Sequence, residues 1–208
     1  MRAEIKERAE RIRKGEVPEG YKETKVGIIP VEWEIKKISN VFSRINRKVG
    51  ERDVEVLSIT AGKGFVPQKE KFGKILAGRQ YEKYILLRQG EFSYNKGNSK
   101  GYPQGCIYQL KSYSEGAVPN VFVSFKINSE NHFDNFYRHL FIFGFLNQQL
   151  KRLINYGVRN DGLLNITPKE FINCKIFSPL LPEQTAIAEV LSTADKTIEK
   201  TEQLIEQK

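Results

Sequence analysis

Apolar residues recur along this chain in two rhythms, and the change from one to the other marks its elements. Ile5, Ala9 and Ile12 fall 4 and 3 residues apart in a charged stretch, which predicts a short helix over 3–14. Gly15, Pro18 and Gly20 end it. Gly27-Ile28-Ile29-Pro30 and Trp33-Glu34-Ile35 begin an extended segment leading to Ile38 and Val41-Phe42. Strand-like runs follow at 54–60, 84–87, 91–94, 105–110 and 121–127, most of them separated by turns rich in glycine and lysine. The period then changes. Phe136, Leu140, Phe143, Leu146, Leu150 and Leu153 share one face, which predicts a helix over 133–154. A loop over 155–162, a short segment around Leu164-Asn165-Ile166 and a final strand over 171–177 complete the body.

The last element has the clearest pattern. Pro182-Glu183-Gln184 opens a helix, where proline suits the first turn and the acid faces the positive dipole end. Ile187, Leu191, Ala194, Ile198, Thr201 and Ile205 then recur at spacings of 4, 3, 4, 3 and 4, a heptad seam. Such a helix either lies along its own domain or projects to meet a partner. The small Ala194 and Thr201, with acids around the seam, favour projection. The pattern as a whole predicts an α+β (mixed α/β) globular domain carrying a long C-terminal coiled-coil helix.

Composition narrows what such a chain does. Its 208 residues suit one sizeable domain, or a domain with an appendage. Lys and Arg number 34 against 25 Asp and Glu, a net charge of +9. The excess is uneven. Residues 1–181 hold 31 cations against 19 acids (+12), whereas 182–208 hold three against six (−3). A basic body with an acidic helical tail points to a polyanion for one and protein for the other. Charge alone does not decide it, since many proteins of high isoelectric point bind no nucleic acid. No run of eighteen apolar residues occurs and the N-terminus is charged, so a cytoplasmic location and no membrane partner are expected. Cys106 and Cys174 are too few for a disulfide framework. His132 and His139 lack the spacing of a metal site, so no cofactor is expected.

Three motifs connect these features. Gly27-Ile28-Ile29-Pro30-Val31-Glu32-Trp33 resembles the "G-x-I-P-x-x-W" start of a target-recognition domain in the specificity subunits of Type I restriction–modification systems, and Gly20–Thr24 resembles the linker before it. Pro179-Leu180-Leu181-Pro182-Glu183-Gln184, followed by Ile187-Ala188 and Leu191, resembles the "P-x-L-P-E-Q-x-x-I-A-x-x-L" start of that family's spacer helix. Between them, Gly90–Lys96 is similar to the weaker "G-D-F-x-x-x-K" strand and loop. The resemblance implies an N-terminal helix and linker over 1–20, a target-recognition domain over 21–181 and a spacer or dimerisation helix over 182–208. It also implies double-stranded DNA as ligand, adenine-methylating modification subunits as partners, and restriction subunits recruited through them. Such subunits usually carry two recognition domains and two antiparallel spacer helices. This chain shows one of each, so it resembles a half-subunit, either a natural one or a fragment. An antiparallel homodimer, or a pair with a second half-subunit, would rebuild the whole. Ile5 and Ile12 are then expected to pack near the partner's residues 198–205.

Three loops carry the residues suited to reading DNA. In 94–102, Lys96 and Lys100 suit phosphates, Asn95, Asn98 and Ser99 suit base edges, and Tyr94 or Tyr102 suit stacking. The segment 60–69 offers Lys63, Gln68 and Lys69. In 156–162, Arg159 suits guanine and Asn160 its neighbour, while Asp161 belongs to an Asn-Asp-Gly turn. Arg79 and Arg88 are weaker choices near strand ends.

Enzyme signatures are missing. There is no glycine-rich cofactor cradle, no Asn/Asp-Pro-Pro-aromatic motif to hold a flipped base, no Walker loop and no Gly-x-Ser-x-Gly turn. Each Glu-x-Lys match in the body (Glu4, Glu23, Glu34) precedes the first aspartate, Asp53, which such a nuclease would need upstream. A non-catalytic subunit is therefore expected. The rival reading is a coiled-coil adaptor whose basic domain binds RNA or an acidic protein.

Overall fold

Short strands build the body, because glycine or proline interrupts nearly every apolar run. The computed structural model describes residues 2–97, 101–154 and 163–206. Helix α1 (Arg2–Arg13) leads into the hairpin β1 (Tyr21–Thr24) and β2 (Gly27–Pro30), then β3 (Glu34–Lys37), the single turn α2 (Ile38–Val41) and β4 (Phe42–Arg44). A second hairpin, β5 (Leu57–Thr60) and β6 (Gly64–Pro67), precedes α3 (Gln68–Phe72) and a 3-10 turn at Gly78–Lys83. Next come β7 (Ile85–Arg88), β8 (Phe92–Asn95), β9 (Cys106–Gln109), β10 (Glu115–Val118) and β11 (Val123–Ile127). The chain closes with α4 (Asp134–Ile142), α5 (Asn147–Leu153), α6 (Pro168–Ile172), β12 (Lys175–Ser178) and α7 (Leu181–Glu206). The architecture is α+β, with a long C-terminal helix.

The largest sheet is antiparallel in the order β4-β11-β8-β9. Phe92 and Phe125 stand opposite each other across it, stacked at 5.5 Å; Phe42 and Phe141 close edge-on around them, and Tyr137 is edge-on to Phe42. Edge-to-face packing suits rings whose faces are negative and whose edges are positive. A second core of Leu57, Ile59, Ile85, Leu87, Leu110 and Val118 lies beneath the β5–β6 and β7–β10 pairs. β3 pairs with β12, with Ile35 opposite Phe177, so residues near the two termini of the body share one small sheet.

Two expected elements differ. The helix expected over 133–154 is two helices, α4 and α5. Gly144 breaks it at φ 78°, and a side chain there would collide with the Asn147 amide. The break takes Phe143 off the shared face and leaves it 85% exposed. The strand expected over 171–177 begins only at Lys175. Before it, Thr167 accepts the Glu170 amide while the Glu170 carboxylate accepts the Thr167 amide, a capping box with proline at the first helical position. That box starts α6 and swings Phe171 into the core, where it stacks on Tyr94 at 4.7 Å.

Helix α7 seats on the body by a stripe the heptad pattern did not mark. Gln184 and Ala188 are fully buried, and Ser192 and Asp195 continue the same face. The Gln184 side chain accepts the Phe133 amide at 2.8 Å and donates to the Pro179 carbonyl at 2.8 Å. Further along, Asn135 donates to Ser192, His139 meets Ser192 at 3.1 Å, and Arg138 pairs with Asp195 at 3.1 Å. Trp33 donates its indole N–H to Glu183 at 2.8 Å. The Gly27–Trp33 and Pro179–Gln184 segments thus touch across 150 residues of sequence.

Candidate nucleic-acid interface

The described parts of the three candidate loops meet at one end of the body. Asn95 Nδ2 donates to the Ile59 carbonyl at 3.3 Å, linking the loop after β8 to the strand before the 60–64 turn. The Gly62 amide donates to the Tyr108 hydroxyl at 2.9 Å, and Tyr102 bonds that same hydroxyl. On the other flank, Gly97 bridges to Leu163, and Leu164 donates its amide to the Lys96 carbonyl at 2.9 Å. Gly105 is required here. Its φ is 76°, and a Cβ would strike the Asn95 carbonyl and the Tyr94 ring. Burial pushes the Tyr108 phenol up to about 12, so it stays a neutral partner to the Gly62 amide.

Among the sequence candidates, Lys63 is exposed at the β5–β6 tip, Lys69 is exposed on α3, and Tyr102 is 37% exposed at the loop end. Asn95 is half-buried, with Oδ1 accepting the Gly97 amide at 2.9 Å, so it shapes the loop. Three candidates are corrected. Tyr94 is fully buried and donates to the Gln104 carbonyl at 2.7 Å, so it is a core ring and no stacking platform. Gln68 is 2% exposed, with its carbonyl oxygen accepting the Leu76 amide at 2.9 Å. Lys96 is 9% exposed, its amine donating to the Ile166 carbonyl at 3.3 Å. Burial removes each from the reach of a duplex. Arg79 is exposed on the 3-10 turn, and Arg88 is paired with Glu115 at 2.9 Å. Asn98, Ser99, Lys100, Arg159 and Asn160 lie outside the described residues.

The sequence reading missed two features of this end. Ile142 and Phe143, 51% and 85% exposed, border a cavity of about 130 Å³ with Tyr102, Cys106, Tyr108 and Asn147. The glycine at 144 was the available signal. Lys71 sends its amine inward to the Ile59 carbonyl at 2.6 Å, and burial lowers its pKa.

Similarity to solved structures addresses the fold directly. A chain solved in work on complex assembly and conformational transition of the type I R-M system aligns over 98% of this chain, at 14% identity and a TM-score of 0.52. The Type-I restriction-modification system S subunit from M. genitalium aligns over 84%, at 17% identity and a TM-score of 0.53. The chain has the fold of a Type I S subunit. It spans 48% and 42% of those two chains, less than half of each. Neither a family model nor a curated protein sequence matches it.

In this S-subunit fold, α7 meets α4 from its N-cap Phe133 through Asn135 and Arg138 to His139, while Tyr102, Cys106 and Tyr108 border its C-terminal end at Ile142 and Phe143. Of the seam residues, Ile187 packs partly into its own domain's core. Leu191, Ile198 and Ile205 are 41%, 57% and 68% exposed, and Ala194 and Thr201 are exposed too. Ile5 is 58% exposed and Ile12 half-buried on α1. No described helix is long and apolar enough to cross a membrane.

Proposed function

We propose that this chain is a non-catalytic, sequence-specific DNA-binding component of a Type I restriction–modification system, reading one half of a split duplex target. Residues 21–181 act as the recognition domain. Residues 182–208 act as the spacer helix, which sets the distance to a second recognition domain and recruits modification subunits, and restriction subunits through them. The observation that supports the reading is that described parts of the candidate loops meet, Asn95 with Ile59, Gly62 with Tyr108 and Gly97 with Leu163, beside the Ile142–Phe143 end of α4, which borders Tyr102 and Tyr108. The exposed Lys63 and the glycine-bearing turns there suit phosphate and groove contacts. The exposed seam of α7 suits a second copy, or a second half-subunit, paired antiparallel.

The test is a gel shift of the full chain on a random duplex pool and on RNA of equal length, at two salt concentrations. Steep salt dependence with a recoverable favoured duplex is expected. No preference among duplexes, or tighter binding to RNA, would overturn the reading in favour of the adaptor. Lys63→Gln should weaken all duplexes alike and reduce the salt slope by about 0.9. Arg159→Gln should relax choice at one base pair. A monomer by sedimentation, at all accessible concentrations, would sink the homodimer.

A further inference from the structure

Residues 69–79 hold Lys69, Lys71, Lys74 and Arg79 against the single acid Glu70. Among these cations Phe72, Ile75 and Leu76 are 42%, 54% and 50% exposed. Three large apolar side chains within five residues are seldom left in water without a use. The backbone that carries them is fixed. Helix α3 ends at Gly73 in the left-handed region, φ 69°. The buried Gln68 side chain accepts the Leu76 amide, the Gln68 backbone amide donates to the Val56 carbonyl at 2.7 Å, and the residue after Leu76, Ala77, is 3% exposed. The segment is therefore pinned on both sides, and its apolar side chains face outward from an anchored backbone. It is also continuous with the loop cluster, because Lys71 and Asn95 both donate to the Ile59 carbonyl.

We propose that Phe72, Ile75 and Leu76 form an apolar wedge that enters a groove of duplex DNA and bends it, while Lys69, Lys74 and Arg79 hold the flanking phosphates. This rests on the DNA-binding reading above and names the part of the surface that deforms the duplex. Charge selects the occupant. Lys69, Lys74 and Arg79 have no ion-pair partner among the described residues. A groove offers apolar sugar and base edges between two rows of phosphates, which matches an apolar centre with a cationic rim. Apolar wedges of Phe, Leu or Ile inserted between base steps kink a duplex by roughly 20–90°. The same insertion makes the cost of bending depend on sequence, so the wedge contributes to target choice at positions no side chain reads.

The experiment uses the full chain and duplexes it selects from a random pool, labelled at their ends with a donor and an acceptor dye. The wild-type protein should raise energy transfer by bringing the ends together. F72S/I75S/L76S should lose about tenfold in affinity, return transfer to that of free duplex and keep the salt slope. K69Q/K74Q/R79Q should instead lower the slope by about 2 to 3 and still bend the DNA at low salt. Ile75→Ser alone, at an exposed position that leaves the core intact, should give an intermediate bend and guards against misfolding. Unchanged affinity and bend in the triple apolar variant would overturn the wedge while leaving the DNA reading in place. So would intact DNA binding with lost association to a modification subunit, which would assign the patch to protein. A wild-type chain that selects no duplex would sink the DNA reading and the wedge with it.

Discussion

At the N-terminal end of α4 the long helix is seated by polar side chains that satisfy one another: Gln184 with Phe133 and Pro179, Asn135 with Ser192, Arg138 with Asp195. At the C-terminal end Phe143 is 85% exposed, Tyr102 is 37% exposed, and Lys63 stands unpaired among the described residues at a turn tip. The same short helix thus separates a saturated joint from an open surface. Buried polar groups cost free energy unless paired, so a joint made of them holds one geometry. An open, cationic end keeps its capacity for a ligand.

The sharpest way to break this contrast is at the joint. Gln184→Ala leaves the Phe133 amide and the Pro179 carbonyl buried without partners, and should cost about 3 kcal/mol in denaturant unfolding. A loss below a third of that would mean the helix is seated by apolar contact alone. A smaller effect separates core from surface within the loop end. Tyr94→Phe removes the bond to the Gln104 carbonyl and should cost about 1 kcal/mol of stability with duplex affinity unchanged. Tyr102→Ala should instead weaken duplex binding, beyond the loss of Tm that follows from losing its bond to the Tyr108 hydroxyl. Equal effects of the two on affinity would restore Tyr94 as a contact residue.

The smallest expected effect is on pH. Burial, then the adjacent Arg138 guanidinium, holds His139 below the ordinary 6.5, against the opposing pull of Asp195. His132 is lowered in the same direction by burial and by Lys36. A depressed imidazole is neutral in the folded chain while the unfolded chain takes up the proton first. Its stabilisation is present above 6.5 and is lost as pH falls through the folded value. Thermal unfolding should therefore occur at lower temperature at pH 5 than at pH 7.5, and His139→Gln should flatten that difference. An unchanged profile in the variant would place the acid sensitivity in other groups.

Much of the fold was legible because local chemistry and period agreed. The strands at 106–109 and 123–127 fall within the expected runs, those at 85–88 and 92–95 are displaced from theirs by one residue, and the ends of α1 and α7 lie within two residues of the expected ones. The helix over 133–154 was misread because its period continues across Gly144, whereas a single left-handed residue ends it. The strand over 171–177 was misread because the capping chemistry at Thr167 outweighs the apolar run that follows. Within the candidate site, residue type suggested the loops, yet burial divided their members. Tyr94, Gln68 and Lys96 carry the same functional groups as exposed contact residues and spend them on internal hydrogen bonds.

Period, charge and motif spacing determined by themselves that this chain has a basic α+β body, an acidic terminal helix and glycine-bearing loops rich in amide and cationic side chains. Only the tertiary structure decided which of those side chains face water, which stripe of α7 meets the body, and that Trp33 and Glu183 join its two ends. The reason is physical. Period and propensity act between residues a turn or a strand pair apart, whereas burial depends on elements far away in sequence that come to cover a position.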